Sequence, residues 1–342
     1  MTNHNRAIKG IFAAIGMLLM IFDAKMALQS MQEGLTLCIQ TIIPSLFPFF
    51  VISGIINSCL IGNQSKILHG LGKFCKVPTG AESIIAVGLL AGYPVGAQLV
   101  TQAYQAGTLS KSTARRMLGF CSNAGPSFIF GMLAPLFPNS KIPWLLWIIH
   151  ILSAMIVGFL LPGECNERCN LKVSKSLTIT QTLRNAIENI ATVCGWVLLF
   201  RVIIGFCNRW FLWLLPKEIG ILFSGVLELS NGAVLLGNIE SLSLRFLFAE
   251  LMLSFGGICV MMQTASVTKN LELGYYFPGK ALQMFISIGM SLITLPLLQE
   301  NSSNYLTILG IFIVLTPFLV RYFFSVKKVV AIKRKMLYNT GS

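Results

Sequence analysis

Four short polar segments interrupt apolar stretches of the chain, and their residue types suit the binding of a small polar molecule. The first two are Gly92-Tyr93-Pro94 and Ser122-Asn123-Ala124-Gly125-Pro126. The other two are Glu228-Leu229-Ser230-Asn231-Gly232 and Gly256-Gly257. Amides, hydroxyls and a carboxylate can exchange hydrogen bonds with a solute, and glycine lets the backbone approach it closely. The sequence therefore predicts one binding site assembled from four interruptions.

Asn123 is the first candidate for solute contact, because its side-chain amide offers two donors and an acceptor. The alternative is that it satisfies backbone freed by Pro126 or bonds a neighbouring helix. The other residues expected to contact a solute are Ser122, Gln98, Tyr93, Glu228, Ser230 and Asn231. The residues expected to form the turns and helix breaks are Gly92, Pro94, Gly96, Gly125, Pro126, Gly256 and Gly257.

The composition places these segments in a lipid bilayer. Of 342 residues, 55% are hydrophobic and 11% are charged, with a mean hydropathy of +0.75, whereas soluble domains carry about 25% charged residues. The chain is therefore expected to be a polytopic membrane protein without a large soluble domain. Its net charge of +14 is dispersed over loops, unlike the single basic stripe of a nucleic-acid-binding protein, so we expect no nucleic-acid partner.

Hydropathy predicts an all-α protein with about eight transmembrane helices and two re-entrant hairpins. A spanning helix needs about 20 mostly apolar residues. The segments that meet this requirement are 8–24, 35–58, 113–137, 143–161, 188–208, 244–266, 280–298 and 305–325. Two further apolar segments, 84–103 and 219–237, are interrupted near the middle, so each half is too short to cross.

Lysine and arginine positions predict the orientation, because cytoplasmic loops carry an excess of these residues. With both hairpins returning to the side they entered from, most of the 26 basic residues fall on the side of the C-terminal tail. Lys280, Arg115 and Arg116 are among them, the last two as cytoplasmic anchors. The residues on the other side are Lys25, Lys141, Arg209, Lys217 and Arg245. We therefore expect a multi-pass cell-membrane protein with both termini in the cytoplasm.

The order of segments predicts two inverted repeats. A transmembrane helix over 1–26 precedes repeat 1 over 27–161; a cytoplasmic linker over 162–180 leads to repeat 2 over 181–325, and a basic tail covers 326–342. Each repeat contains an interrupted apolar segment followed by a helix with a polar break. Irregular backbone survives in a bilayer only where protein or a water-filled cavity covers it, and converging broken helices are typical of secondary transporters.

Two carboxylates are predicted at membrane depth, where an ionisable side chain indicates function by default. Glu228 is a candidate solute ligand or ion-coupling group, and Glu250 is a weaker candidate. The alternatives for both are pairing with Arg201 or Arg245 and snorkelling to the membrane interface. Arg201, in turn, is expected to face protein or water, and the alternative to a function for it is to serve only as the counter-ion of Glu228.

Enzymatic chemistry is not expected. The chain has three histidines and lacks the His-Glu-x-x-His, Gly-x-Ser-x-Gly and phosphate-loop motifs, so no catalytic residue and no cofactor are predicted. His150 is expected to be a packed, neutral imidazole. Cys165 and Cys169 share a polar loop without a second ligand pair, and no metal site is expected there.

Two motifs resemble a known family. "GLLAGYPVGAQLV" over 88–100 and "ARRMLGFCSNAGPSFIFG" over 114–131 are similar to the sporulation integral membrane protein family typified by YlbJ, which carries the Gate, or nucleoside-recognition, domain. In the second half, Glu228 and Ser230 match the hairpin of concentrative nucleoside transporters, but "SFGGICVMMQ" lacks their following Asn. The resemblance implies a transporter-like fold with eight helices and two hairpins, and a role in spore cortex formation.

The expected function is therefore to bind or move a small polar solute across the membrane during spore formation, with an ion as a candidate co-substrate. The alternative is a non-transporting membrane scaffold for spore-envelope assembly, which needs only packing at the interruptions. The solute, the coupling ion and the oligomeric state do not follow from the sequence.

Overall fold

The structure of the protein is a computed structural model. It describes residues 3–60, 66–163, 178–268, 271–298, 306–319 and 321. All regular secondary structure in these ranges is helical, which confirms the predicted all-α class. Residues 164–177 of the predicted linker and the tail 326–342 lie outside them. The helices are α1 (Asn3–Phe22), α2 (Ala24–Leu37), α3 (Ile43–Leu60), α4 (Lys66–Phe74), α5 (Glu82–Ala91), α6 (Val95–Gln105), α7 (Lys111–Met117), α8 (Pro126–Leu136), α9 (Lys141–Leu160), α10 (Ile179–Trp210), α11 (Lys217–Leu227), α12 (Leu229–Leu236), α13 (Leu242–Phe255), α14 (Gly257–Thr268), α15 (Tyr276–Thr294) and α16 (Leu306–Leu319).

Four helical stretches are long and apolar enough to cross a membrane: Ala24–Ile56, Lys141–Leu160, Ile179–Trp210 and Leu242–Thr268. The first joins α2 to α3 through a π-helical segment, Cys38–Ile42. Shorter apolar helices accompany them, and large hydrophobic side chains cover the outer faces. These outward-facing apolar surfaces suit lipid contact, so the chain is a membrane protein.

Two predicted spans have different boundaries in the structure. The span predicted over 113–137 is not one helix, because α7 ends at Met117 and α8 begins at Pro126. Proline lacks a backbone donor and starts a helix readily, so it favours a new helix there. The span predicted over 188–208 begins earlier, at Ile179, where Thr178 and Gln181 form a capping box.

The interruptions fall between short helices. We call Gly92–Pro94, between α5 and α6, tip 1, and Ser122–Pro126, before α8, break 1. Glu228–Gly232, where α11 gives way to α12, is tip 2. Gly256 and Gly257, between α13 and α14, are break 2; their φ angles of 79° and 84° lie in the left-handed region that favours glycine.

Two basic residues differ from their predicted positions. Arg116 is not an exposed anchor, since only 3% of it is exposed. Its guanidinium donates to the backbone carbonyl oxygens of Cys75, Lys76, Gly158 and Leu161. Some of these belong to the C-terminal end of α9, where carbonyl groups carry partial negative charge. Burial and the nearby charges of Arg321 and Arg116 lower the pKa of the Lys76 ammonium in the adjoining loop.

Lys280 is the second correction. The sequence made it the first residue of the predicted span 280–298, on the cytoplasmic side, but α15 begins at Tyr276, so Lys280 lies in the second turn of a packed helix. Only 1% of it is exposed, which makes it one of the largest fully buried side chains of the described residues.

Candidate functional site

Tips and breaks from both halves of the chain meet at one place. Gly92 of tip 1 packs backbone to backbone on Gly125 of break 1, where an added Cβ on Gly125 would lie 3.0 Å from Gly92. The Tyr93 hydroxyl of tip 1 donates to the Leu253 carbonyl oxygen at 3.1 Å, just before break 2. An added Cβ on Gly257 would lie 3.2 Å from the carbonyl oxygen of Gly225, at the end of α11 that leads to tip 2.

A small cavity lies at this meeting point, and we call it the tip cavity. It has a volume of about 40 Å³, room for about three or four water molecules at roughly 10–15 Å³ of accessible volume each. Its lining includes Gly92, Tyr93, Gly125, Ser127, Glu228 and Ser230. The Ser127 hydroxyl is buried there and has no hydrogen-bond partner among the described residues. The tip cavity therefore offers an unpaired polar group to a ligand or water.

Glu228 acts as the N-cap of α12. One carboxylate oxygen accepts from the Ser230 N–H at 2.9 Å, and the other accepts from the Asn231 N–H and side-chain amide, each at 2.7 Å. Carboxylates at this position favour the positive end of the helix dipole. The charge of Glu228 is thus stabilised by tip 2 itself.

Neither predicted arginine partner reaches Glu228. Arg201 donates to Glu33 on α2. Arg245 donates to the Ile239 carbonyl oxygen at 3.0 Å and to another backbone carbonyl. The alternative in which Glu228 pairs with Arg201 or Arg245 is therefore wrong. Glu250 is fully buried, and neither of its oxygens has a hydrogen-bond partner among the described residues.

A buried polar network lies behind tip 1 and break 1. The Lys280 ammonium donates to the Tyr93 hydroxyl at 3.2 Å, to Asn123 Oδ1 at 3.1 Å and to Gln283 Oε1 at 2.9 Å. Gln283 Nε2 also donates to Asn123 Oδ1, at 3.1 Å. Asn123 Nδ2 donates to the Phe120 carbonyl oxygen at 2.7 Å. Both polar atoms of the Asn123 side chain are therefore engaged, and Asn123 lies beside the tip cavity instead of lining it.

His150 supports break 1 from α9. Its Nε2 accepts a hydrogen bond from the Ala124 N–H at 3.1 Å, so this nitrogen carries no proton. The imidazole is completely buried. Its backbone carbonyl accepts from Gln283 at 3.3 Å, which links α9 to the Lys280 network.

A larger polar space, which we call the chamber, adjoins the tip cavity. Its volume is about 400 Å³. Helices α3, α6, α10 and α14 enclose it, and its polar lining consists of Ser53, Gln98, Thr101, Gln102, Gln105, Thr182, Asn185, Glu188, Asn189 and Ser266. Gln98 donates to Asn189 across it at 3.0 Å. Gln98, which was predicted to contact a solute near tip 1, therefore lies in the chamber.

The structure thus separates the predicted contact residues into three groups. Tyr93, Glu228 and Ser230 line the tip cavity, whereas Gln98 lines the chamber. Asn231 is held by Glu228, and Ser122 is fully buried with an unpaired hydroxyl. Lys280, Gln283 and Ser127 were not identified from the sequence. The sequence signal that could have identified Lys280 as buried is its position four residues after Tyr276, in an apolar helix.

The described residues contain no group of three or more His, Cys, Asp or Glu side chains that could hold a metal ion. The polar groups here are instead hydroxyls, amides and isolated carboxylates, which are suited to hydrogen bonding.

Comparison with known proteins gives one curated relative. The chain is 23% identical over 317 residues to the sporulation integral membrane protein YlbJ of Bacillus subtilis (strain 168), and the alignment covers 79% of this chain and 78% of that protein. No protein-family model matches the chain. No solved structure matches it either.

Proposed function

We propose that this chain, which belongs to the family of the sporulation integral membrane protein YlbJ, binds a small polar solute and moves it across the membrane. The observation that carries the proposal is a polar chamber beside a tip cavity, with Phe50 lining both, at the place where helix ends from both halves meet. Broken helices that meet around such a site are a recurring feature of secondary transporters.

The chamber and the tip cavity are stacked along the same helices. On α10, Asn189 lines the chamber and Val193, one turn further, lines the tip cavity. On α14, Ser266 and Gln263 are related in the same way. Phe50 lines both spaces and is 4% exposed. We infer that the solute enters the chamber from one face of the membrane, and that Phe50 and the tips block its passage to the opposite face.

The lining favours a neutral or cationic solute. Among the described residues that line the two spaces there is no lysine, arginine or histidine, whereas Glu188 lies in the chamber and Glu228 in the tip cavity. An anion would meet these carboxylates without a compensating base. Glu228 remains the candidate for coupling to an ion. Both termini are proposed to lie in the cytoplasm.

The Gate-domain resemblance of residues 88–131 supports this assignment, and the name of the relative supports a role in spore formation. Cortex formation is the step that the resemblance implies. The solute is accordingly proposed to be a polar compound needed on one side of a membrane of the developing spore.

A scaffold without transport is the second candidate function. Its support is that the polar atoms of Asn123 and Glu228 already have hydrogen-bond partners within the chain, and that the tip cavity is small. In a scaffold, the polar groups of the breaks serve only to satisfy each other and the backbone.

Chamber residues distinguish the two candidates, because they can be changed without disturbing the tips. The test is the double variant Gln102→Ala/Asn185→Ala in a spore-forming host that lacks its own YlbJ, with heat-resistant spores counted at equal protein abundance. The exposed Gln32 on α2 provides the control, Gln32→Ala. Solute binding predicts a loss of at least about tenfold in the double variant, since each lost polar contact costs about 1 kcal/mol. Sporulation equal to that of the control would refute the solute proposal and favour the scaffold.

A further inference from the structure

The Lys280 ammonium has no anionic partner among the described residues, although it is buried. Its three N–H groups meet three neutral oxygens, those of Tyr93, Asn123 and Gln283, at 2.9–3.2 Å. The ammonium also lies 5.1 Å from the centre of the Tyr93 ring, within the range of a cation–π contact. None of the ion pairs formed by the described residues includes Lys280.

Burying an ammonium in this way raises the free energy of the folded state unless other groups stabilise the charge. A buried charge is normally paired with an opposite charge, because hydration is lost on burial. Here the compensation comes from three oxygen dipoles and an aromatic face, which together form a receptor for a positive charge. The three acceptors also match the number of N–H donors of a primary ammonium.

The three oxygens come from elements that must stay together for the tips to remain closed. Tyr93 belongs to tip 1, Asn123 to break 1, and Gln283 to α15. Tyr93 also bonds α13 just before break 2. The ammonium therefore sits where the two halves of the chain are joined.

We propose that Tyr93, Asn123 and Gln283 form a binding site for a monovalent cation of the ammonium class, and that Lys280 fills this site with the chain's own cation. The site lies behind the tip cavity and is separate from the chamber. The tethered ammonium closes tip 1 against break 1 and α15, so this position requires no free cation. The proposal does not depend on whether a solute moves.

The test removes the tethered cation and offers a free one. Lys280→Ala deletes the side chain beyond Cβ, and n-propylammonium has the size and charge of the missing part. The melting temperature of the purified variant is measured against n-propylammonium chloride, with n-propanol as the uncharged control of the same shape. Tetramethylammonium chloride at equal ionic strength controls for salt.

A saturable rise in the melting temperature of Lys280→Ala with n-propylammonium alone supports the site. We expect about 5 °C at a hundredfold excess over the dissociation constant, and no rise in the wild-type protein. An equal rise with n-propanol or tetramethylammonium, or no rise at all in folded protein, would overturn the proposal.

Two further variants apply if Lys280→Ala cannot be purified even with n-propylammonium present. Lys280→Arg keeps the positive charge, whereas Lys280→Met keeps the side-chain length and removes the charge. The proposal expects membrane abundance to be closer to wild type for Lys280→Arg than for Lys280→Met. Equal or higher abundance of Lys280→Met would mean that the site needs an apolar stem and no cation, and the proposal would be wrong.

Discussion

Replacing Gly88 by alanine tests whether the α5–α6 pair lies as close to Cys121, just before break 1, as the structure shows. Gly88 on α5 and Gly96 on α6 both lie against the carbonyl oxygen of Cys121, well inside the distance at which a Cβ could be accommodated. The obstacle is a backbone oxygen, which cannot rotate away as a side chain can. Gly88→Ala must therefore separate the α5–α6 pair from the segment that leads into break 1.

The expected size of the effect follows from two opposing contributions. Alanine in a helix interior is favoured over glycine by about 1 kcal/mol. Overpacking costs about 1–3 kcal/mol, and the upper end applies because the clash is with backbone. Gly88→Ala should therefore lower the free energy of unfolding by about 2 kcal/mol, or roughly 4 °C in melting temperature for a chain of this size.

Gly195→Ala is the matched control. Gly195 lies inside α10, and an added Cβ there meets no atom within 4 Å, so only the helix-propensity gain of about 1 kcal/mol applies. The assay is thermal unfolding of the purified variants in detergent, followed by size-exclusion chromatography of the protein that remains folded. If Gly88→Ala unfolds at or above the temperature of Gly195→Ala, the close contact between α5 and the Cys121 carbonyl oxygen is not present in the protein.

Three other expectations can be measured in the same preparations. Arg116→Lys should lower the free energy of unfolding by about 2 kcal/mol, because an ammonium has three donors for four buried carbonyl oxygens; unchanged thermal unfolding would contradict this. Glu228→Gln should cost about 1 kcal/mol and Glu228→Ala more, since the amide keeps an acceptor for the cap but loses the charge; equal melting temperatures would show that Glu228 does not cap α12. In a cysteine-free background, Gln102→Cys should react with a membrane-impermeant maleimide from the same face as Lys111→Cys, whereas Ser127→Cys should react slowly; fast labelling of Ser127→Cys would mean that the tip cavity is open.

The interruptions themselves could be predicted because glycine and proline act locally. At Gly92, Gly256 and Pro126 the residue type favours a break in the helix, so the positions of these helix ends follow from the sequence. The partners of the buried charges could not be predicted in the same way. The sequence offered an arginine as the alternative partner of Glu228, but three N–H donors within its own tip satisfy the carboxylate.

Lys280 shows how a helix start predicted from hydropathy can misplace a single residue. The excess of lysine in cytoplasmic loops is a property of the whole chain, and it does not fix the depth of one lysine at a predicted helix end. The helix in fact begins four residues earlier, at Tyr276. This shift of one turn moves the ammonium from the surface to the protein interior. Its acceptors on tip 1 and break 1 lie more than 150 residues away, beyond the reach of local patterns.

The engagement of Lys280 also limits which groups a solute can contact at the tips. A solute that displaced the ammonium from Asn123 and Tyr93 would leave a buried charge short of two of its three acceptors, at several kcal/mol. The group that can bind without this cost is the unpaired Ser127 hydroxyl at the tip cavity. We therefore expect Ser127, which the sequence motif contains without marking it as special, to contact the solute directly, and Asn123 to act by keeping break 1 in place.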